Sequence, residues 1–200
     1  MSIIKRCIIF SFLMLAVLFT TAQEANKPQL LKEPTNWEFE RFPLPPSFST
    51  NFPYKGVEEL RFAPGMFKKD AADYFSYAFV AQLEGVKTMS SAEIKNYLLT
   101  YFRGLCANVA KEKKMQVDTT IISVDVAAAA NAEQVYNATL TVLGVFADGA
   151  AVKLNAEVKI FTDAKTTTAY LLFITSPQAK SGEIWTALHK IQQDFTIPAK

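Results

Sequence analysis

One histidine, two cysteines and seven glycines are all that this 200-residue chain offers to the commonest catalytic chemistries. His189 stands alone, so any Ser-His or Cys-His mechanism must use it. Cys7 falls in an N-terminal apolar run, which leaves Cys106 as the one cysteine beyond that run and excludes an intramolecular disulfide there. Zinc and other transition-metal sites draw on several His and Cys ligands, which one of each cannot supply. The glycines are scattered singly, with no phosphate-cradling loop. "KKDAADY" brings Asp70 and Asp73 close together but has no calcium-loop pattern. No metal and no cofactor is expected.

Long apolar runs are scarce as well. "CIIFSFLMLAVLF" (Cys7 to Phe19) follows Lys5 and Arg6 and precedes the small residues Thr20 to Ala22. That is the pattern of a secretory signal, residues 1–22, with cleavage after Ala22 and a secreted or periplasmic product. The run is shorter than the about 20 residues a membrane span needs, so no span is expected after cleavage. An excess of one charge is also missing. Loss of Lys5 and Arg6 brings the 21 basic residues level with the 19 acidic ones. Nucleic-acid binding needs a clustered positive field. The densest basic run, "KEKK" (Lys111 to Lys114), sits where a helix is expected to end, and lysines there complement the helix dipole. No nucleic-acid partner is expected.

What is present is a regular alternation of strand and helix patterns. Residues 23–36 are polar with two prolines and read as a flexible linker, ahead of a single domain at 37–200. "NWEFERF" puts Trp37, Phe39 and Arg41 on one face and Glu38, Glu40 and Phe42 on the other. "GVEELRFA" is a second short strand, and "DYFSYAFVAQLEG" a third, bulky on both faces. The period then changes. Ile94, Tyr97, Leu98, Tyr101, Phe102, Leu105, Cys106 and Val109 form one helical stripe, opened by the capping box Ser90-x-x-Glu93. Four strands follow: "VDTTIISVDVA", "QVYNATLTVLGVF", "AVKLNAEVKIF" and "TTAYLLFIT", the last apolar on both faces. A closing helix, capped by Ser181, buries Ile184, Trp185, Leu188 and Ile191, with Pro198 beyond it.

The turn between the second and third of those four strands constrains their register. A two-residue loop at Asp148-Gly149 would set Leu140 against Glu157. A three-residue loop sets Leu140 against Ala156 and Val142 against Leu154, with Gly149 left-handed, and only that parity matches the apolar faces. Short connections make neighbouring strands antiparallel. The expected fold class is therefore α+β: a single twisted antiparallel sheet with two helices packed on one face. On one face, Cys106 and His189 could approach each other. The layout resembles helix-grip domains, in which a curved sheet wraps a long C-terminal helix. Here the long helix precedes the main sheet and the last helix is short, so no residue role carries over.

The segment from Phe42 to Phe67 concentrates Pro43, Pro45, Pro46, Pro53 and Pro64 with Phe42, Phe48, Phe52, Phe62 and Phe67. Prolines deny it a regular interior strand but hold it extended. Residues 37–67 read as a strand and strap covering the core. Its aromatics are expected to point inward, because so many exposed together would form an apolar patch that monomers rarely carry. Arg61 is expected to meet a carboxylate, Glu59 being nearest on its own strand face. If the segment binds a ligand instead, Trp37, Arg41, Tyr54, Glu59 and Arg61 are the candidate contacts.

With no nucleophile, metal or cofactor constellation, the expected function is that of an exported, non-catalytic binding or structural module, its partner a protein or a small apolar ligand. One alternative is a carrier of an apolar molecule between sheet and helices, lined by Phe75, Tyr77, Phe79, Tyr97, Tyr101, Phe102 and Trp185. Another is a carboxylate-based hydrolase. Glu58 and Glu59 are sequence neighbours, so on a strand they face opposite sides and cannot work as one acid/base pair. Asn137-Ala138-Thr139 is a glycosylation acceptor pattern, and Asp118-Thr119-Thr120 looks like a bacterial O-glycosylation triplet.

Overall fold

The computed structural model describes residues 28–130, 132–163 and 165–198. The segment expected to be a secretory signal and the first residues of the expected linker lie outside them. Seven strands form one antiparallel sheet: β1 (Glu38–Leu44), β2 (Gly56–Phe62), β3 (Tyr77–Glu84), β4 (Ser123–Ala128), β5 (Val135–Leu143), β6 (Ala151–Asp163) and β7 (Thr168–Ser176). Helix α1 spans Ser91–Glu112 and α2 spans Glu183–Asp194. The sheet order is β1-β2-β3-β7-β6-β5-β4. The α+β class and the single antiparallel sheet are thus as expected.

The chain leaves the sheet centre at β3, crosses on α1 to the far edge, and returns through β4, β5 and β6 so that β7 closes against β3. Four strand spacings amount to about 19 Å. A helix of 22 residues is about 33 Å long and covers that distance with room to spare. The capping box fixes its start: the Glu93 N–H donates to Ser90 Oγ at 3.3 Å, and the Ser90 N–H donates to Glu93 Oε2 at 2.7 Å.

The two helices lie on opposite faces of the sheet, not on one. Tyr77, Phe79, Ala81, Leu83, Leu171 and Phe173 pack with α1 in one core. Ala78, Val80, Tyr170, Leu172 and Ile174 pack with Trp185, Leu188 and Ile191 of α2 in a second core. The reason is already in β3 and β7. A strand apolar on both faces needs cover on both, and one helix layer supplies only one. Cys106 on α1 and His189 on α2 are consequently separated by the sheet, which rules out the dyad. The likeness to helix-grip domains stops at layout, since the long helix and the C-terminal helix cover different faces.

Smaller corrections follow local physics. The β5–β6 register sets Leu140 against Leu154 and Val142 against Val152, two residues from the expected pairing but of the same parity. The strands part after Leu143, because Val145 turns fully into the core. Gly144 O then accepts from the N–H groups of both Ala147 and Gly149, and Gly149 has the expected positive φ, +76°. The stretch Thr119–Ile121 is a 3-10 turn capped by Asp118, so β4 starts only at Ser123. The N-cap of α2 is Gly182, with no side-chain bond, rather than Ser181. Residues 28–36 are not a free tether: Leu30 and Leu31 are buried in the α2-side core. Among the described residues, no helix is long and apolar enough to cross a membrane.

Candidate functional site

Strand β2 lies between β1 and β3 and is covered on both faces, so its alternation buries two adjacent carboxyl groups in different cores. Glu58 points to the α1 side. The hydroxyl of Tyr97 donates to its Oε2 and that of Tyr101 to its Oε1, both at 2.8 Å. Burial pushes the Glu58 pKa up to about 8, the two tyrosine hydrogen bonds opposing the shift and the like charge of Glu40 adding to it. Burial likewise raises both tyrosines well above their ordinary range, and the nearby Glu58 adds to this.

Glu59 points to the α2 side, directly across the strand pair from Arg41. It accepts from Arg41 Nη1 at 2.8 Å and from the backbone N–H groups of Leu30 and Leu31 at 2.7 and 2.9 Å. Two residues along the same face, Arg61 donates through Nε and Nη2 to Leu31 O at 3.1 and 3.0 Å. It also donates to the carbonyls of Trp37 and Lys32, at 3.2 and 3.3 Å, and its guanidinium stacks over Phe39. Arg61 therefore meets carbonyl oxygens, not the expected carboxylate. The physical reason is that residues 30–37 are irregular and carry unpaired backbone groups into a buried position, where each needs a partner. One acceptor and one fork of donors on a single strand face satisfy them.

The segment held in this way forms one wall of a groove. Leu30 and Leu31 face Ile191, Phe195 and Ile197 at the end of α2, across a volume of about 580 Å³. Lys32, Glu33 and Asp194 stand at its margin. A second depression of about 450 Å³ lies on the polar outer face of β4, β5 and β6, between Asp125, Thr139, Lys153 and Asn155. That face is the solvated side of an antiparallel sheet.

The residues singled out from sequence fall into two groups. Trp37, Arg41, Glu59 and Arg61 come together on the α2 side, behind the groove wall. Tyr54 lies on the other side, its ring 5.4 Å from that of Tyr97. Of the aromatics expected to line a carrier cavity, Phe75, Tyr77, Phe79, Tyr97, Tyr101 and Phe102 pack in one core and Trp185 in the other. Phe79 stacks with Phe173 at 4.7 Å and with Tyr101 at 5.8 Å, while Trp185 lies beyond the sheet. Of the strap phenylalanines, Phe52 is buried, Phe42, Phe48 and Phe62 are half-buried against the core, and Phe67 is exposed against Phe146. Fewer are fully buried than the inward reading requires, but Phe42, Phe48, Phe52 and Phe62 pack on the α1 side, whereas Arg61 lies on the α2 side.

Two features of the candidate site have little signal in the sequence. Tyr97 and Tyr101 belong to an apolar stripe by periodicity, and the one signal for their hydroxyls is their spacing of four on that stripe. The groove itself had none, because its wall is an irregular segment. No family model matches the chain, and neither a curated protein nor a solved structure matches it. The functional reading accordingly rests on the geometry of these residues.

Proposed function

We propose that this protein is an exported, non-catalytic binding module that holds a small apolar ligand in the groove between residues 28–33 and 191–198. The observation that carries this reading is the construction of the groove wall. Burying ions is costly, yet Glu59 and Arg61 are both buried and both bond to the backbone of residues 30–32. A wall fixed by such groups keeps its shape without a ligand, which lowers the ordering cost of binding. The volume lies within the roughly 300–1,000 Å³ of small-molecule sites. Export rests on the signal pattern ending at Ala22.

Hydrolysis by paired carboxylates is disfavoured, because Glu58 and Glu59 diverge into separate cores. A carrier cavity between sheet and α1 is disfavoured, because the rings there fill one another's space. The test is a fluorescence titration with anilinonaphthalene sulfonate, comparing the protein with Ile197→Glu. Saturable enhancement that is reduced at least tenfold in affinity by the variant supports the groove. Absence of saturable enhancement, or enhancement indifferent to the variant, overturns it.

A further inference from the structure

Between Leu44 and Gly56 the chain does not follow the sheet edge. Residues 45–55 cross over α1 at Gly104, where an added Cβ would stand 2.8 Å from the Phe48 carbonyl oxygen. Phe48 packs edge-on to Tyr101 with centroids 5.1 Å apart, and Phe52 packs edge-on to Tyr97 at 4.7 Å. These are the tyrosines whose hydroxyls hold Glu58. The segment is the cover over a fully buried carboxyl.

Its attachment is unusual. Ser49 N–H to Pro46 O and Phe52 N–H to Ser49 O close turns within it, and Lys55 O accepts from Glu84 N–H at its end. Among the described residues, no hydrogen bond ties residues 45–54 to α1 or to the sheet. Between those ends, the rings of Phe48 and Phe52 and the close approach to Gly104 hold the segment against α1. Segments with few anchoring hydrogen bonds open at a fraction of the free energy of global unfolding.

Beneath it, the groups acting on Glu58 are Tyr97 and Tyr101 from α1, Tyr77 from β3 and Glu40 from β1, with Tyr54 of the cover acting on Tyr97. None is a cation. The hydroxyl protons do not balance either. As a carboxylate, Glu58 uses both tyrosine protons but stays uncompensated. As an acid it brings a third proton to two oxygen–oxygen contacts, so one donor lacks an acceptor there. The closed box carries a defect in either form, and water reaching Glu58 removes it.

We propose that residues 45–55 are a lid over Glu58, and that lid opening is coupled to release of the Glu58 proton to solvent. Closed, the carboxyl keeps its proton up to about pH 8. Open and hydrated, it releases that proton near its ordinary value, 4.5. Opening therefore becomes easier by about tenfold per pH unit between those limits.

The test is amide hydrogen exchange of the full protein at pH 5, 6 and 7, expressed as protection factors so that the intrinsic pH dependence cancels. The Ser49 and Phe52 amides are expected to be less protected than the amides of β6 and β7, and to lose about tenfold in protection per pH unit. In Glu58→Gln, checked for folding by its β6 and β7 protection, they are expected to lose the pH dependence. Strap protection equal to that of β6 and β7 overturns the lid. Lower strap protection with no pH dependence in the unaltered protein overturns the coupling, and needs no variant to be seen.

Discussion

Glu58 and Glu59 are adjacent in the chain, equally inaccessible to water, and held by entirely different partners on opposite faces of β2. Glu58 is enclosed by aromatic hydroxyls with no cation, whereas Glu59 is paired with Arg41 and with backbone N–H groups. One strand thus carries a buried acid on one face and, on the other, an ionic clamp for the N-terminal segment. The two faces make separable predictions.

On the first face, the Glu58 pKa is raised from 4.5 to about 8. The folded protein therefore keeps a proton that the unfolded chain has released. This contribution is fully present below about pH 4.5 and is lost as pH rises towards about 8, at about 1.4 kcal/mol per unit. Urea unfolding at pH 5 and pH 7 is expected to show that decline in the unaltered protein and a flatter profile in Glu58→Gln. Equal slopes in the two proteins contradict the assignment.

On the second face, Arg61→Met removes the donors to Leu31, Lys32 and Trp37 and leaves the buried carbonyls of Leu31 and Trp37, and the partly buried one of Lys32, without that partner. The expected loss is about 3 kcal/mol, from the cost of carbonyls left without the guanidinium donors. Trypsin cleavage after Lys32 should accelerate at least tenfold. Unchanged stability and unchanged cleavage contradict the clamp.

Cys106 is 2% exposed, its thiol stands 3.7 Å from Leu143 O, and burial raises its pKa. A small buried thiol of this kind behaves as a core hydrophobe. Labelling by a thiol reagent is expected to be negligible under native conditions and complete in denaturant, and Cys106→Ala is expected to cost about 1 kcal/mol or somewhat more. Rapid native labelling contradicts this.

Element types were legible because periodicity reports burial directly. The two-sided apolarity of β3 and β7 and the Ser90–Glu93 box were sufficient to place the central strands and α1. The same two-sided apolarity implies a second covering layer, since Val80 and Leu172 need a partner that α1 cannot supply. The docking of residues 28–36 was not legible. Leu30-Leu31 shows no periodicity, and what holds it is a long-range match between backbone groups and the side chains of Glu59 and Arg61. Arg61 was legible as a charge needing a partner, but not as a buried donor to carbonyls. The β5–β6 parity was recoverable from matched apolar faces, whereas the exact register depended on Val145 leaving the strand.

The groove between residues 28–33 and the end of α2 is tested most directly by backbone NMR during titration with decanoate, a simple apolar probe with one polar end. Saturable shifts are predicted at Leu30, Leu31 and Lys32 and at Ile191, Phe195 and Ile197, with the amides of Phe52, Tyr97 and Tyr101 unmoved. Shifts confined to the strap and α1, or no saturable shift at all, would contradict a binding groove at this place.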